Sequence, residues 1–452
     1  MGSSVNLSSI LSALGSTSSG IDVQSAVAEE IALESGPLTQ WENQQSSLQT
    51  QTSDITSIEN DITTLQNSLQ ALNDPAGVLT SMTANSSNSG IVSASAAAGT
   101  ASGNHVVVVN SLATSASWYS NDVASSTTAL AAGTFNIQVG SGSPISITTG
   151  SGVNTLAELA NSINALNAGV TASVVSDAGG ARLALVATNS GAANNFAVSN
   201  GSGLTFTQAA SGTDASLTVD GIPIDSASNT VTGAVNGLTL NLTGASPGTQ
   251  VSISIAPSSS DVSQAINAFV SAYNTVIGDV NTQYTVNSSN QEGPLAGDPV
   301  VNELQSLLLG TGSYTSGSGS VSSLASLGIS MNNDGTLTVN SSQLSDAIQN
   351  NFGAVQSFLQ GTSSNGFAST LNNELNSLVD PVSGAFTVDL QSISSEKSDL
   401  QTQINNFDTY LNNQATYLTT EYNQADIALQ QLPVMEKQLE AELGESTSSS
   451  NS

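Results

Sequence analysis

The stretch WENQQSSLQTQTSDITSIENDITTLQNSLQALN, residues 41–73, decides how this chain is organised. Its apolar residues recur at every seventh position, with a second row offset by three, which is the spacing of a coiled-coil seam. The two rows consist of Trp41, Leu48, Ile55, Ile62 and Leu69, and of Ile58, Leu65 and Leu72. At about 1.5 Å per residue, a helix that begins at Pro37 and ends near Asn73 is on the order of 55 Å long. The pattern therefore predicts a long helix that needs a long partner.

A second segment near the other end of the chain carries a matching row and is the predicted partner. Its apolar positions are Ile393, Leu400, Ile404, Phe407, Leu411, Ala415, Leu418, Tyr422, Ala425, Leu429 and Leu432. Two successive four-residue steps around Leu411 predict a stutter that locally unwinds the supercoil. Pro433 is predicted to end or kink this helix, with a short helical stretch to Gly444 and a tail after it. Two amphipathic helices packed on separate cores would produce similar rows and remain the alternative.

Between the two helical segments the apolar residues alternate with a period of two, which is typical of strands. The candidate strands are 106–109, 135–139, 145–148, 170–175 and 183–187. Thr155 and Glu158 form a capping-box pair ahead of an apolar helix face, so one helix interrupts the strands. The dipeptides Asp220-Gly221 and Asn236-Gly237 predict hairpin turns. Helical spacing returns later in the chain, at 259–277, 300–309, 343–352, 354–360 and 367–379.

The predicted fold is an α+β multidomain architecture, in which long N- and C-terminal helices form a coiled-coil leg that carries inserted β-rich head domains. The chain is predicted to begin with a disordered, secretion-competent stretch at 1–36, followed by the N-terminal coiled-coil half of the leg at 37–76. One β-rich head domain is built from 77–125 and 212–257, and an inserted β-rich head domain with one helix lies between them at 126–211. A helical leg region with the C-terminal coiled-coil half follows at 258–432, and then a C-terminal segment with a disordered tail at 433–452. The predicted coiled-coil and assembly residues are Trp41, Leu48, Ile55, Ile58, Ile62, Leu65, Leu69, Leu400, Ile404, Phe407, Leu411, Leu418, Tyr422 and Leu429.

Composition excludes several classes of partner. The 452 residues carry a formal net charge of −31, from 34 acidic residues against only three lysines and arginines. Such a charge repels nucleic-acid phosphates and anionic membrane surfaces, so neither is an expected partner. Cysteine is absent, which removes disulfides and thiolate metal sites. No stretch approaches the roughly twenty apolar residues of a membrane span, and residues 1–20 lack the basic and apolar regions of a Sec-type signal peptide.

Residues that could carry chemistry are sparse. His105 has no second histidine to join it and is interpreted as a strand-edge residue. Ser330, Asn332, Asp334 and Gly335 superficially resemble a calcium loop, but the twelfth position would be a serine rather than a glutamate, so a hairpin turn is predicted there. No catalytic, cofactor-binding or metal site is therefore predicted, and the chain is not expected to be an enzyme.

Short motifs along nearly the whole chain occur in an order that resembles one protein family. In the N-terminal part they are Gly20, Ile21 and Asp22 within 14–23, then Pro37 and Leu38, then 44–48. In the middle they are 155–165, 169–172, Arg182 with Leu183, and Asp220 and Gly221 followed by 228–231 and 237–240. In the remaining part they are 269–274, 293–298 and 324–337. The chain thereby resembles the bacterial flagellar filament cap proteins, also called hook-associated protein 2.

This resemblance implies a secreted structural protein at the tip of the flagellar filament that promotes ordered polymerisation of flagellin. It implies a ring-like homo-oligomer of about four to six copies, and export through the flagellar type III apparatus with the help of a chaperone. It implies no cofactor. Two alternatives stay open from the residues alone: an adhesin-like binding module, because polar β-rich heads on helical stalks also suit adhesion, and another flagellar axial or junction protein.

Overall fold

The computed structural model describes residues 22–286, 291–316, 319–361 and 365–448, with side chains as far as residue 442. The helices are α1 (Val23–Glu34), α2 (Gly36–Asn73), α3 (Leu156–Ala165), α4 (Ser259–Tyr284), α5 (Pro299–Thr311), α6 (Ser341–Asn350), α7 (Phe352–Gln360), α8 (Phe367–Val379) and α9 (Ala385–Ser448). The predicted α+β class, with long helices flanking a β-rich middle, is confirmed.

The strands fall into three groups along the chain. The first group is β1 (Met82–Ser86), β2 (Val92–Ala96), β3 (Gly103–Ser111) and β4 (Ser117–Ser120). The middle group is β5 (Gly133–Val139), β6 (Ile145–Thr149), β7 (Val170–Asp177), β8 (Gly180–Ala187), β9 (Phe196–Val198) and β10 (Phe206–Ala210). The last group is β11 (Ala215–Val219), β12 (Ile222–Ser226), β13 (Thr230–Val235), β14 (Leu238–Leu242), β15 (Val251–Pro257), β16 (Ile329–Met331) and β17 (Leu337–Val339).

The first β-rich body is a sandwich of two antiparallel sheets, with strand orders β1-β15-β3-β11-β12 and β13-β14-β2. Alternate residues of both sheets point inward and are buried, as in β11 and β14, where every second side chain is in the core. The core includes Val107, Val109, Leu217, Leu240 and Ile253. Segments far apart in the chain thus share one core, because β3 lies between β15 and β11.

The second β-rich body consists of the sheets β10-β4-β8-β7 and β6-β5-β9, with α3 packed into their core. The predicted capping box of α3 is confirmed, since Thr155 Oγ1 accepts from the Glu158 N–H at 3.2 Å and Glu158 Oε2 accepts from the Thr155 N–H at 3.1 Å. Leu156, Leu159 and Ile163 are fully buried against the sheets. The apolar face of this helix therefore joins the two sheets.

Both predicted hairpin turns are present. Asp220 and Gly221 have φ values of +52° and +81° between the paired strands β11 and β12, as a type I′ turn requires. The turn at Asn236 and Gly237 connects β13 to β14. The segment that superficially resembles a calcium loop is also a hairpin, between β16 and β17, in which Asp334 Oδ1 accepts from the Thr336 N–H at 3.0 Å.

The helices outside the β-rich bodies share one long apolar core with α2 along its centre. Helices α4 and α8 pack against α2, and so does α9. Tyr273 of α4 is fully buried and its hydroxyl donates to the Leu308 carbonyl of α5 at 2.8 Å. Helices α6 and α7 pack on α4 and α8, respectively. The leg therefore has two parts. One is a helical bundle, in which α4 and α8 pack on α2, and the other is a thinner stem, in which α1 packs on α9.

Three sequence predictions need correction. Residues 23–34 of the stretch predicted to be disordered form α1, in which Val27 and Ile31 are buried; residues 1–21 lie outside the described part of the chain. Strand β4, placed by prediction in the outer segment 77–125, pairs instead with β8 and β10 of the inserted body. Helix α9 continues through Pro433 to Ser448, so the prediction that it ends at this proline is wrong, and residues 445–448 of the predicted tail are helical. A proline inside a helix has no N–H, so one carbonyl of the preceding turn loses its helical hydrogen bond. Side chains from 427 to 442 are exposed, so water can bind this carbonyl, and a local bend would displace no packed neighbour.

Candidate assembly surfaces of the helical leg

The two predicted coiled-coil segments do pair, and they run antiparallel. The indole ring of Trp41 on α2 packs edge-on against the ring of Phe407 on α9, with a centroid separation of 5.3 Å and an interplanar angle of 83°. Further along α2, Gln49 accepts a hydrogen bond from Nζ of Lys397. Higher residue numbers on α2 thus face lower numbers on α9, which defines the direction of the pair.

Amide groups, rather than salt bridges, border this seam. Gln44 Nε2 donates to Glu396 Oε1 at 3.0 Å, and Gln45 Nε2 donates to Gln401 Oε1 at 2.8 Å. The ion pairs found within the described residues, His105–Asp220 and Arg182–Asp122, both lie in the β-rich bodies. Because the chain has so few cations, hydrogen bonds of glutamine amides, two of them to the charged groups of Glu396 and Lys397, border the helical pair in place of salt bridges.

Helix α1 extends the stem beyond the start of α2. Its N-cap Asp22 accepts from the Ser25 N–H at 3.1 Å, and its apolar side packs on α9. The hydroxyl of Tyr422 donates to Glu30 Oε2 at 2.6 Å, and this hydrogen bond raises the pKa of the Tyr422 phenol. This helix was not predicted from the sequence, although a capping aspartate, Asp22, followed by Val27 and Ile31 at positions i and i+4 indicates it.

The second half of α2 does not form a simple two-stranded coil. Its apolar residues are fully buried in the bundle with α4, α8 and the beginning of α9. These residues are Ile55, Ile58, Ile62, Leu65, Leu69 and Leu72. A heptad row indicates that one face of a helix is buried, but it does not indicate how many helices cover that face.

The predicted row on α9 is buried only in its first part. Leu400, Ile404, Leu411 and Leu418 are buried, and Phe407 and Tyr422 are partly buried. Leu429 is 47% exposed and Leu432 is 53% exposed, and no described residue covers this last part of the row. The assembly role of the predicted residues, including Leu48 and Leu429, remains a prediction.

The β-rich bodies hold the histidine that was interpreted as a strand-edge residue. His105 lies inside the central strand β3, opposite Ile253, and its Nδ1 is 2.7 Å from Asp220 Oδ2. Within the described parts of the chain, no three His, Cys, Asp or Glu side chains are placed to hold a metal ion. The described helices include none that is long and apolar enough to cross a membrane.

Residues 23–73 and the described residues from 259 to 448 thus fold into one helical leg, and residues 82–257 form two β-rich bodies. This arrangement defines a structural protein of the leg-and-head type. Family comparisons agree with it along most of the chain: the flagellar hook-associated protein 2 N-terminus matches residues 19–116, the flagellar hook-associated protein 2 C-terminus matches residues 212–433, and the flagellin hook IN motif matches residues 134–189.

Individual relatives give the same result. The chain is 30% identical over 376 residues to the B-type flagellar hook-associated protein 2 of Pseudomonas aeruginosa, covering 74% of this chain and 78% of the relative. It is 26% identical over 397 residues to flagellar hook-associated protein 2 of Escherichia coli, covering 81% and 84%. The crystal structure of the D1-D2-D3 domains of the flagellar cap protein FliD from Escherichia coli shares the fold, with a TM-score of 0.59 and 24% identity, covering 75% of this chain and 99% of that one. The chain belongs to the flagellar hook-associated protein 2 family, which is a structural family.

Proposed function

We propose that this protein caps the distal end of the bacterial flagellar filament. There it promotes ordered polymerisation of exported flagellin and prevents its loss to the medium. The observation that carries the proposal is the match to flagellar hook-associated protein 2 over most of both chains, which includes the helical ends and the β-rich middle. The adhesin-like alternative is not favoured, because that match extends over the leg as well as the head.

In this proposal the leg and the head have different roles. The helical stem contacts the last flagellin subunits, and its exposed apolar residues on α9, such as Leu429 and Leu439, are available for burial in the assembly. The β-rich bodies of neighbouring copies form the plate above. A ring of about four to six copies requires a heterologous interface that closes on itself. Helix α9 is also the region that an export chaperone would hold before passage through the type III apparatus.

Deletion of the gene tests the capping function. Without the protein, hooks should remain intact while flagellin appears unpolymerised in the medium, and electron microscopy should show hooks without filaments. A plasmid copy of the wild-type gene is the control and should restore filaments and swimming. Filaments of normal length in the deletion strain would refute the proposal.

The ring is tested separately on the purified chain. Multi-angle light scattering should show a closed oligomer whose mass stays constant over a wide range of concentrations, as expected for a finite ring. A species that remains monomeric at tens of micromolar would argue against self-assembly of the free protein. An oligomer that grows without limit with concentration would argue against a closed ring.

A further inference from the structure

Three Asn-Gly pairs occur in the chain, at Asn200-Gly201, Asn236-Gly237 and Asn365-Gly366. An asparagine before a glycine is chemically labile, because the glycine has no side chain to keep its backbone nitrogen away from the asparagine amide. All three asparagines are exposed, so exposure does not distinguish them. The difference between them is whether hydrogen bonds hold the two reacting groups, which are the side-chain amide and the glycine N–H.

The Asn200-Gly201 pair is held on both sides. Asn200 Oδ1 accepts from the Phe206 N–H at 2.9 Å, and the Gly201 N–H donates to the Leu204 carbonyl at 3.1 Å. Gly201 is also tightly packed, since a Cβ atom there would lie 2.2 Å from the Thr134 carbonyl oxygen. This turn would have to open and lose both hydrogen bonds before the pair could react.

The Asn236-Gly237 pair is not held in this way. Of the residues that the structure describes, none accepts a hydrogen bond from the Gly237 N–H, and none bonds to the side-chain amide of Asn236. In the remaining pair, by contrast, the Gly366 N–H donates to the Gln360 carbonyl at 3.2 Å. Both reacting groups of the turn between β13 and β14 are therefore accessible without local unfolding.

This turn lines an open cleft of about 510 Å³ in the first β-rich body. The opposite wall is the segment 98–105, which ends at His105 on β3. The Gly237 carbonyl accepts from the Ala97 N–H at 2.8 Å and from Thr100 Oγ1 at 3.2 Å. A Cβ atom on Gly237 would lie only 2.3 Å from Thr100 Oγ1. Any lengthening of the main chain at this turn must therefore move the loop between β2 and β3.

We propose that Asn236 is a site of spontaneous covalent modification, at which it converts to aspartate and isoaspartate through a succinimide. The Gly237 nitrogen gives its proton to hydroxide or water and attacks Cγ of Asn236. A bond forms between this nitrogen and Cγ, the Cγ–Nδ2 bond breaks, and Nδ2 takes up a proton and leaves as ammonia. Water then opens the ring at either carbonyl. Opening at Cγ gives aspartate, and opening at the main-chain carbonyl carbon of Asn236 gives isoaspartate.

The two products change the head differently. Both add a carboxyl group beside the cleft that His105 lines. Isoaspartate also adds a methylene group to the main chain of a two-residue turn whose glycine carbonyl is bonded to the loop between β2 and β3. We therefore expect the first β-rich body to lose stability as the protein ages, while the helical leg does not. The modification is independent of the proposed capping function, because it is a reaction of the isolated chain.

Ageing of the purified full chain in mildly alkaline buffer, followed by peptic digestion in acid and mass spectrometry, tests the proposal. The peptide with Asn236 should deamidate at least about tenfold faster than the peptides with Asn200 or Asn365, because those pairs react only after hydrogen bonds open. An isoaspartyl methyltransferase should label the Asn236 peptide. In a chain kept unfolded in urea, the three rates should approach one another, because the protection of the other two pairs is lost.

Asn236→Gln is the matched variant, since it keeps a neutral amide at an exposed position but can cyclise only through a larger, less favourable ring. The aged wild type should have a lower denaturation midpoint for its β-rich transition than the fresh protein, and the aged variant should not. Equal native rates at Asn236 and Asn200 would overturn the proposal. So would a rate at Asn236 that is more than about tenfold slower in the native than in the unfolded chain, because the turn would then be protected. An aged variant that loses as much stability as the wild type would refute the effect assigned to this turn.

Discussion

Nδ1 of His105 lies 2.7 Å from Oδ2 of Asp220, and this contact ties the tip of the β11–β12 hairpin to the central strand β3. The other carboxylate oxygen, Oδ1, accepts from the Val106 N–H at 2.8 Å. Asp220 also adopts a φ of +52°, a left-handed conformation that Asn and Asp tolerate better than other residues with side chains. One residue thus forms the turn and anchors it to the neighbouring strand.

The two roles of Asp220 can be separated by substitution. Asp220→Asn keeps a residue suited to the turn but removes the charge opposite His105, whereas Asp220→Ala removes both the turn preference and two hydrogen bonds. We expect Asp220→Ala to destabilise the β-rich body by about 1–3 kcal/mol and Asp220→Asn by about half as much. Denaturant unfolding at neutral pH, followed by near-ultraviolet circular dichroism, measures the difference.

The same substitutions predict an effect of acid. Because the hydrogen bond from His105 lowers the pKa of Asp220, its contribution is present above the ordinary value of 3.8 and is lost as the pH falls through the lowered one. The stability difference between wild type and Asp220→Asn should therefore shrink in strong acid. A difference that stays constant down to the acid-unfolded state would show that the carboxylate charge contributes nothing.

Ile55 and Ile62 are expected to be essential for the leg. Both are fully buried at the centre of the bundle, so Ile55→Asp with Ile62→Asp places unpaired charges in an apolar core at a cost of several kcal/mol each. Circular dichroism should lose the helical transition while the β-rich transition survives, because the two β-rich bodies have cores of their own. A plasmid copy that carries both substitutions should not restore motility to the deletion strain.

A matched control uses exposed positions of the same helix. Ser57 and Thr64 are also seven residues apart on α2 but face solvent, so Ser57→Asp with Thr64→Asp should change stability by only about 1 kcal/mol. Equal damage from the two double variants would mean that added negative charge, rather than burial, is responsible.

Trp41 and Phe407 are predicted to couple energetically across the antiparallel helices. Their edge-on contact at 5.3 Å should contribute about 0.5–1.5 kcal/mol beyond the area that each ring buries. A double-mutant cycle with Trp41→Leu and Phe407→Leu, measured by chemical denaturation of the helical transition, gives this coupling directly. Additive effects of the two substitutions would place the rings on independent surfaces.

Salt should stabilise the leg. The net charge is −31, because only three lysines and arginines are available to balance 34 acidic residues. Raising NaCl from about 20 mM to about 500 mM shortens the screening length severalfold and weakens this repulsion. We expect the midpoint of the helical transition at neutral pH to rise by several degrees; a fall would indicate that attractive ion pairs dominate. Potassium chloride at the same ionic strength should act equally if the effect is screening.

The structure also shows where local sequence signals were sufficient. The Asp220-Gly221 turn and the Thr155–Glu158 capping box were both predicted from two residues each, because their geometry depends on neighbours in the chain. The buried face of α2 was predicted equally well from its heptad row. Its pairing with α9 was predicted as well, but the sequence did not reveal that α4 and α8 also cover the row.

Non-local pairing accounts for what the sequence did not reveal. Strand β4 is short, and nothing in Ser117–Ser120 indicates that it joins β8 and β10 rather than the strands before it.

The sequence by itself determined the α+β class, the helical ends, the hairpin turns and the acidic, cation-poor character of the surface. These follow from the periodicity of apolar residues, from turn and capping residues, and from composition, all of which act over a few residues or over the whole chain at once. The tertiary structure alone decided that α4 and α8 cover α2 together with α9, and which body receives β4. Each of these depends on contacts between segments distant in sequence, and their energies arise only when packing brings the groups together and removes water from between them.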